Sequence, residues 1–176
     1  VLLVDHYKKI GEKIRISGGG RCNFTNINTN PSKFISQNPK FVRSALSQYT
    51  QNDFINLINK YEIKFHEKKL GQLFCDHSAQ QIVEMLLKEC ESENVTILKE
   101  FIIKNIEKDN DQYLVSTETE QYSSESLIVA TGGLSVPKIG ATSFGYEIAK
   151  KFDHNIIKTL PALVPLTFNE KILEIC

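Results

Sequence analysis

Two short apolar runs restrict the fold of this chain more than any other feature of its sequence. Residues 1–4 are continuously apolar and end at Asp5, and residues 127–130 are continuously apolar and run into Thr131 and two glycines. Such runs are typical of parallel strands buried on both faces. Helical and strand-like patterns alternate between them. The order predicts an α/β fold with a parallel sheet, a helical segment and an inserted β-meander.

Residues 40–92 are predicted to be mainly helical. Apolar side chains recur at helical spacing over 41–49 and over 54–61, where Asn52 or Asp53 is the expected N-cap. A third helix is expected after the capping-box sequence Ser-Ala-Gln-Gln at 78–81. Two short strands, 63–67 and 70–75, interrupt the helices around a Lys-Lys turn.

A β-meander is predicted over residues 95–122. Its strands are expected at 95–98, 101–106 and 113–117, with the turn Asp-Asn-Asp at 109–111 between the last two. A strand, a glycine turn, a helix over 145–152 and a final strand are then expected within 127–160.

Overall charge argues against a nucleic-acid partner. The chain has 176 residues, with 21 Lys and Arg balanced by 21 Asp and Glu. Proteins that bind polyanions over a whole domain usually carry a basic excess, which this chain lacks. No apolar run approaches the ~20 residues of a membrane span. No secretory signal sequence is evident at the N-terminus.

Four cysteines, Cys22, Cys75, Cys90 and Cys176, form no Cys-x-x-Cys pair and no metal-ligand spacing with the four histidines. We therefore expect neither a zinc site nor a disulfide framework. Reduced thiols in a neutral chain of this size predict a cytoplasmic protein.

The most unusual segment lies within the irregular stretch 6–39. Three glycines, Gly18, Gly19 and Gly20, follow Ser17 and precede a polar cluster. Glycine backbone can approach a ligand closely, and successive N–H groups can form an anion site. The cluster offers one charged group and several hydrogen-bonding groups: Arg21, Cys22, Asn23, Thr25 and Asn26. A ligand loop explains this composition better than a flexible surface turn does.

Two further positions are expected at the carboxyl edge of the sheet, where open α/β folds bind ligands. Asp5 is placed to bind a ribose hydroxyl, although a strand-end aspartate also caps turns. Ala130, Thr131 and Gly132 follow the second apolar run, although a tight β–α turn has the same composition.

At these residues the sequence resembles the BaiN-type family of FAD-dependent oxidoreductases, which includes aminoacetone-oxidase-like proteins and shares the glutathione-reductase-like flavoprotein fold. The matching stretches run nearly end to end in the family's order and lie at 13–26, 71–74, 130–135, 145–149 and 161–166. The block Ser-Gly-Gly-Gly-Arg-Cys-Asn is the most specific of them.

The resemblance implies a role for each matching residue. Asp5 would hold the adenosine ribose of FAD, and Ile103, on a meander strand, would meet the adenine through its backbone. Lys13 and the loop 17–26 would line the pyrophosphate and the flavin. Ala130, Thr131 and Gly132 would close over the middle of the cofactor. No catalytic residue is assigned.

The resemblance also implies that the chain is part of a longer protein. Residues 1–176 would be part of a Rossmann-like FAD-binding domain. Residues 1–5 would be its second strand, 6–39 its glycine-rich cofactor loop, and 161–176 the start of a crossover to an inserted domain. Since the family's first glycine-rich turn would precede Val1, we expect residues 1–176 alone to bind FAD weakly or not at all.

Two functions follow from these observations. The main interpretation is a FAD-dependent oxidoreductase that acts on a small organic substrate, with NAD(P)H as a possible electron donor. The alternative is a nucleotide-associated or RNA-associated module that kept the fold without redox turnover. Basic residues near the glycines, Lys8, Lys9, Lys13 and Arg21, support the alternative. Neutral charge and the absence of interleaved aromatic and basic residues count against it.

Overall fold

The computed structural model describes residues 1–136 and 139–160. They divide into a first compact unit, Val1–Ile103, and a second that begins at Lys104. Each unit is a mixture of helices and strands, as the α/β prediction requires. The expected crossover at 161–176, with Cys176, lies outside the described residues. Within the described part of the chain, no helix has the length and apolar character that a membrane crossing requires.

The first unit contains a parallel strand pair. Strand β1 (Leu2–Val4) pairs in parallel with β5 (Thr96–Leu98), in the register Leu3 to Ile97. The first strand was therefore correctly predicted, but its expected burial is wrong, because Leu2 and Leu3 are 40% and 38% exposed. Because β5 pairs with β1, residues 95–98 are not part of the meander in which they were predicted.

A three-stranded antiparallel sheet and two helices form the core of this unit. Its strands are ordered β2 (Asn23–Asn26), β4 (Gln72–Cys75), β3 (Phe65–Glu67). Helices α3 (Gln51–Lys60) and α4 (Gln80–Ser92) supply buried Ile58, Ile82 and Met85 to the core, which also includes Cys22 and Cys75. Two shorter helices complete the unit: α1 (Glu12–Ile16) and α2 (Arg43–Gln48).

The helix starts differ from those predicted. Thr50, not Asn52 or Asp53, is the N-cap of α3, because its side chain accepts a hydrogen bond from Asp53 N while the Asp53 carboxylate accepts from Thr50 N. The capping box predicted at 78–81 does not form. Instead Ala79 precedes α4, and Ser78 Oγ accepts a hydrogen bond from Gln80 N at 3.1 Å.

The second unit contains the meander and one helix. Strands β6 (Asn105–Asp109), β7 (Gln112–Ser116) and β8 (Gln121–Ser124) form an antiparallel sheet in sequence order. The β6–β7 turn lies at Asn110 as predicted, with φ 52°. The predicted helix is α5 (Phe144–Lys151).

Three expectations in this region are wrong. Residues 127–130 form no strand, and Ile128 is 87% exposed. An apolar run becomes a strand only when neighbouring strands pair with it, and none of the described residues does so. The final strand before residue 160 is likewise not formed. Ile103 precedes β6 and is not on a meander strand.

Candidate functional site

The glycine turn follows directly from helix α1. Gly11, at φ 72°, precedes the helix, and Ser17 ends it by donating a hydrogen bond from its Oγ to Ile14 O at 2.7 Å. Gly18, Gly19 and Gly20 then have φ values of 58°, 68° and 85°. Three successive left-handed residues reverse the chain into β2, a conformation that glycine adopts without steric cost.

The two sides of the turn have different surroundings. A Cβ atom on Gly18 would lie 2.7 Å from Phe74 Cε1 and 2.9 Å from Asn23 N, so this glycine is packed. A Cβ atom on Gly19 would meet nothing within 4 Å. The turn therefore exposes backbone that no side chain covers, and a phosphate or a flat ring can approach it closely. This geometry fits the pyrophosphate-binding role expected of the turn.

Backbone hydrogen bonds attach the turn to the core. Ala79 N donates to Gly20 O at 2.7 Å, and Cys75 N donates to Arg21 O at 2.9 Å. Cys22 N donates to Ser17 O at 3.0 Å, which closes the turn. The carboxyl end of the turn is therefore hydrogen-bonded to β4 and to the residue that precedes α4.

The polar residues around the turn fall into two groups. Lys13 and Arg21 are exposed beside it and carry the positive charge that a phosphate group would meet. Asn26 instead shapes the next loop, because its Nδ2 donates to Leu70 O at 2.9 Å and its Oδ1 accepts from Asn28 N at 2.8 Å. The Asn23 amide, oriented to suit its neighbours, donates to the carbonyls of Leu73 and Thr25.

Cys22 is a buried packing residue. Its side chain is 5% exposed, and burial raises the pKa of its thiol, partly offset by a hydrogen bond from Ser17. Cys75 lies nearby, and burial, the Cys22 thiol and Asp76 raise its pKa to about 11. Both thiols are protonated at neutral pH and are poor nucleophiles. Their proximity follows from the pairing of β2 with β4, which no cysteine spacing in the sequence indicates.

Asp5 lies at the carboxyl end of β1, where Asp5 N donates to Leu98 O at 2.9 Å. Its Oδ1 accepts a hydrogen bond from Tyr7 N at 2.8 Å, so the carboxylate caps the turn that follows the strand. The side chain is 34% exposed. Capping a turn and binding a ribose are compatible, because a carboxylate has two oxygens.

The remaining predicted residues lie outside the turn. Ile103 ends the first unit and is half-buried. Ala130, Thr131 and Gly132 belong to the second unit, where they are exposed. Gly145 approaches this stretch so closely that a Cβ there would lie 2.7 Å from Thr131 Oγ1. The structure therefore brings residues 17–26 together and describes 130–132 in a separate unit.

One polar pair near the turn was missed in the sequence. His66 Nδ1 and Asp76 Oδ1 are 2.7 Å apart, and the His66 ring stacks on Phe74, the residue that packs against Gly18. Both side chains are substantially exposed, at 44% and 39%. The antiparallel pairing of His66 with Phe74 brings His66 and Asp76 together, and nine intervening residues conceal this in the sequence.

Comparison with known proteins gives a consistent result. The profile described as "HI0933-like protein Rossmann domain" matches residues 1–166. A ribosomal RNA dihydrouridine synthase of Escherichia coli is 51% identical over 174 residues, and one of Haemophilus influenzae is 48% identical. A 3-dehydro-bile acid delta(4,6)-reductase of Clostridium scindens is 24% identical over 167 residues.

These alignments span nearly the whole chain but only part of each relative. They cover 99%, 97% and 94% of this chain, and 44%, 43% and 41% of the relatives. All three names describe enzymes. The comparisons support the Rossmann-type family. They do not support the narrower BaiN-type assignment, because the two relatives that are 51% and 48% identical to this chain are named ribosomal RNA dihydrouridine synthases.

The comparisons also overturn the expected partners. Two relatives are named for ribosomal RNA, so the expectation of a small-molecule substrate, with the charge arguing against a nucleic-acid partner, is wrong. They favour the RNA-associated alternative over the main interpretation. The net charge conceals a local excess of basic residues because it is a sum over the whole chain. Residues 13–52 contain six basic residues and no acidic one. The other 136 residues hold 15 basic and 21 acidic residues.

Proposed function

The chain belongs to the family of HI0933-like Rossmann domains, and from this premise we propose that it is the cofactor-binding part of a flavin-dependent enzyme that reduces uridine in ribosomal RNA to dihydrouridine. The observation that carries the proposal is its identity of 51% and 48% to two ribosomal RNA dihydrouridine synthases, over an alignment that includes the glycine turn.

The residues of the turn suit the phosphates of FAD. Gly19 exposes backbone with no side chain above it, and Arg21 and Lys13 add positive charge beside it. Asp5 would bind the adenosine ribose, and Ile103 would meet the adenine. The other residues of the loop would maintain the conformation of the turn: Ser17, Gly18, Gly20, Cys22, Asn23, Thr25 and Asn26. Ala130, Thr131 and Gly132 would also contact the cofactor.

Reduction of uridine adds two hydrogen atoms across the C5–C6 double bond of the base. Bound FAD supplies this chemistry as a carrier of hydride equivalents. The protein binds the cofactor and holds the base in position. We propose NADH or NADPH as the source of the electrons, because the flavin of an oxidoreductase has to be reduced again for each turnover.

Anaerobic absorbance spectroscopy tests the proposal on the full-length protein loaded with FAD. NADH or NADPH should bleach the flavin, and ribosomal RNA that lacks dihydrouridine should then restore the oxidised spectrum. RNA that already contains the modification is the matched control and should restore nothing. Equal reoxidation by both RNAs, or by neither, would contradict the proposal.

An Arg21 series tests the assigned cofactor contact. Arg21→Ala should weaken FAD binding by about tenfold, the scale of one charge-assisted contact, and Arg21→Lys should recover part of the loss. Lys88→Ala removes an exposed charge from the carboxyl-terminal half of helix α4 and should leave FAD affinity unchanged. Equal affinities for all three variants would exclude Arg21 from the cofactor site.

A further inference from the structure

Residues 33–49, here called the basic aromatic segment, lie almost entirely in solvent. Every residue in it is exposed except Val42 and Leu46, which are half-buried. Four large apolar side chains are exposed in this short stretch: Phe34 at 43%, Ile35 at 99%, Phe41 at 79% and Tyr49 at 53%. Exposed apolar side chains clustered in this way mark interaction surfaces.

The charge of this segment has one sign. Lys33, Lys40 and Arg43 lie within it, and the nearest acidic residues along the chain are Glu12 and Asp53. Among the described residues, none of the three cations forms an ion pair. The whole chain carries 21 acidic residues, so a stretch of 40 residues without one is a marked local asymmetry.

Aromatic and basic residues alternate along the segment. Lys33 precedes Phe34, Lys40 precedes Phe41, and Arg43 and Tyr49 follow on or next to helix α2. The expectation that the chain lacks such interleaving is therefore wrong, and the exposure of these aromatic rings reveals the pattern. Proteins that bind single-stranded nucleic acid combine exposed aromatic rings, on which bases stack, with cations that contact the phosphates.

We propose that the basic aromatic segment docks single-stranded RNA. Phe34, Phe41 and Tyr49 stack on unpaired bases, and Lys33, Lys40 and Arg43 contact the backbone phosphates. Single strands are favoured because base faces are accessible to aromatic rings only where the RNA is unpaired. This inference rests on the proposed function, and it assigns the recognition of the RNA to a surface separate from the glycine turn.

An RNA partner explains this surface better than a covering protein segment does. The cores of protein interfaces are depleted in charged residues, whereas three unpaired cations here accompany the aromatic rings. The side chains of Asn30 and Asn38 accept hydrogen bonds from Ser32 N and Lys40 N and so shape local turns in this part of the chain.

Fluorescence anisotropy on the full-length protein tests the proposal, using a labelled single-stranded RNA of about 12 nucleotides, the site size of one binding module. Phe41→Ala should weaken binding by about tenfold, as for the loss of one stacked base. Leu70→Ala is the matched control, because Leu70 is 82% exposed and lies outside the segment.

The charges are tested by salt dependence. Lys40→Ala combined with Arg43→Ala should lower the slope of log affinity against log salt by about 1.4, since each lost phosphate contact on a single strand contributes ~0.7. The Lys88→Ala variant should leave the slope unchanged.

The outcomes separate this inference from the proposed function. Unchanged RNA affinity in the segment variants, in a protein whose reduced flavin is still reoxidised by ribosomal RNA, would overturn the inference alone. A markedly lower melting temperature for Phe41→Ala would also overturn it, because the ring would then be covered by protein. A wild-type protein that neither binds RNA nor is reoxidised by it would overturn both.

Discussion

Gly18 packs against Phe74 so closely that a single added methyl group would lie 2.7 Å from the ring. Gly18→Ala should destabilise the protein by about 2–5 kcal/mol, because a left-handed alanine costs ~1–2 kcal/mol and overpacking adds a further ~1–3. Gly19→Ala is the matched control. An alanine at position 19, where φ is 68°, has the same backbone cost, but no atom lies within 4 Å of the added Cβ. Urea unfolding should therefore rank Gly18→Ala as the less stable variant, and the opposite order would contradict the described turn.

The two core thiols should be inert in the folded protein. Burial raises the pKa of Cys22, and burial with the neighbouring Cys22 and Asp76 raises that of Cys75 to about 11. Cys90 is only half-buried. Peptide mapping after iodoacetamide treatment at pH 7.5 should find Cys90 alkylated well before Cys22 and Cys75. Rapid labelling of Cys22 would instead indicate an accessible, reactive thiol.

Acid should weaken the link between helices α3 and α4. Glu89 Oε1 accepts hydrogen bonds from Lys60 Nζ at 2.8 Å and Tyr61 Oη at 2.6 Å, and these two bonds lower the pKa of Glu89. A carboxylate with a lowered pKa stabilises the fold above its ordinary pKa, and the contribution is lost as pH falls through the lowered value.

Glu89→Gln should therefore reduce the free energy of unfolding at pH 7, with a deficit that shrinks in acid as Glu89 itself becomes protonated. Glu91→Gln removes the same charge from the same helix and provides the control. Urea unfolding at several pH values measures the difference. A deficit that is constant from pH 7 to pH 3 would show that the carboxylate charge contributes nothing.

Local sequence patterns predicted the elements that depend on local interactions. The helical spacing of apolar residues located α3, α4 and α5, and the Asp-Asn-Asp turn located the β6–β7 hairpin. They did not locate the N-cap of α3, because several cap-forming residues are consecutive there. Thr50 is selected over Asn52 because it can exchange hydrogen bonds with Asp53.

Long-range pairing was the less predictable part. Residues 95–98 have the same strand-like composition whether they join a meander or pair with β1, and only the parallel register of Leu3 with Ile97 decides between them. Residues 127–130 were predicted as a strand from their apolar character alone. Apolar character favours burial, but it does not indicate which strand would pair with these residues. The same limit applies to the site: the glycines were visible in the sequence, but the neighbouring Phe74 and the His66–Asp76 pair were not.

The most direct test of the central claim is mass spectrometry of nucleosides from ribosomal RNA. RNA from cells that lack this protein is incubated with the full-length protein, FAD and either NADH or NADPH, and is then digested and analysed. The account predicts that uridine gains two hydrogen atoms to become dihydrouridine, and that omission of the protein or of the reductant abolishes the change. Ribosomal RNA that shows no dihydrouridine, in a reaction where NADH or NADPH does reduce the flavin, would contradict it.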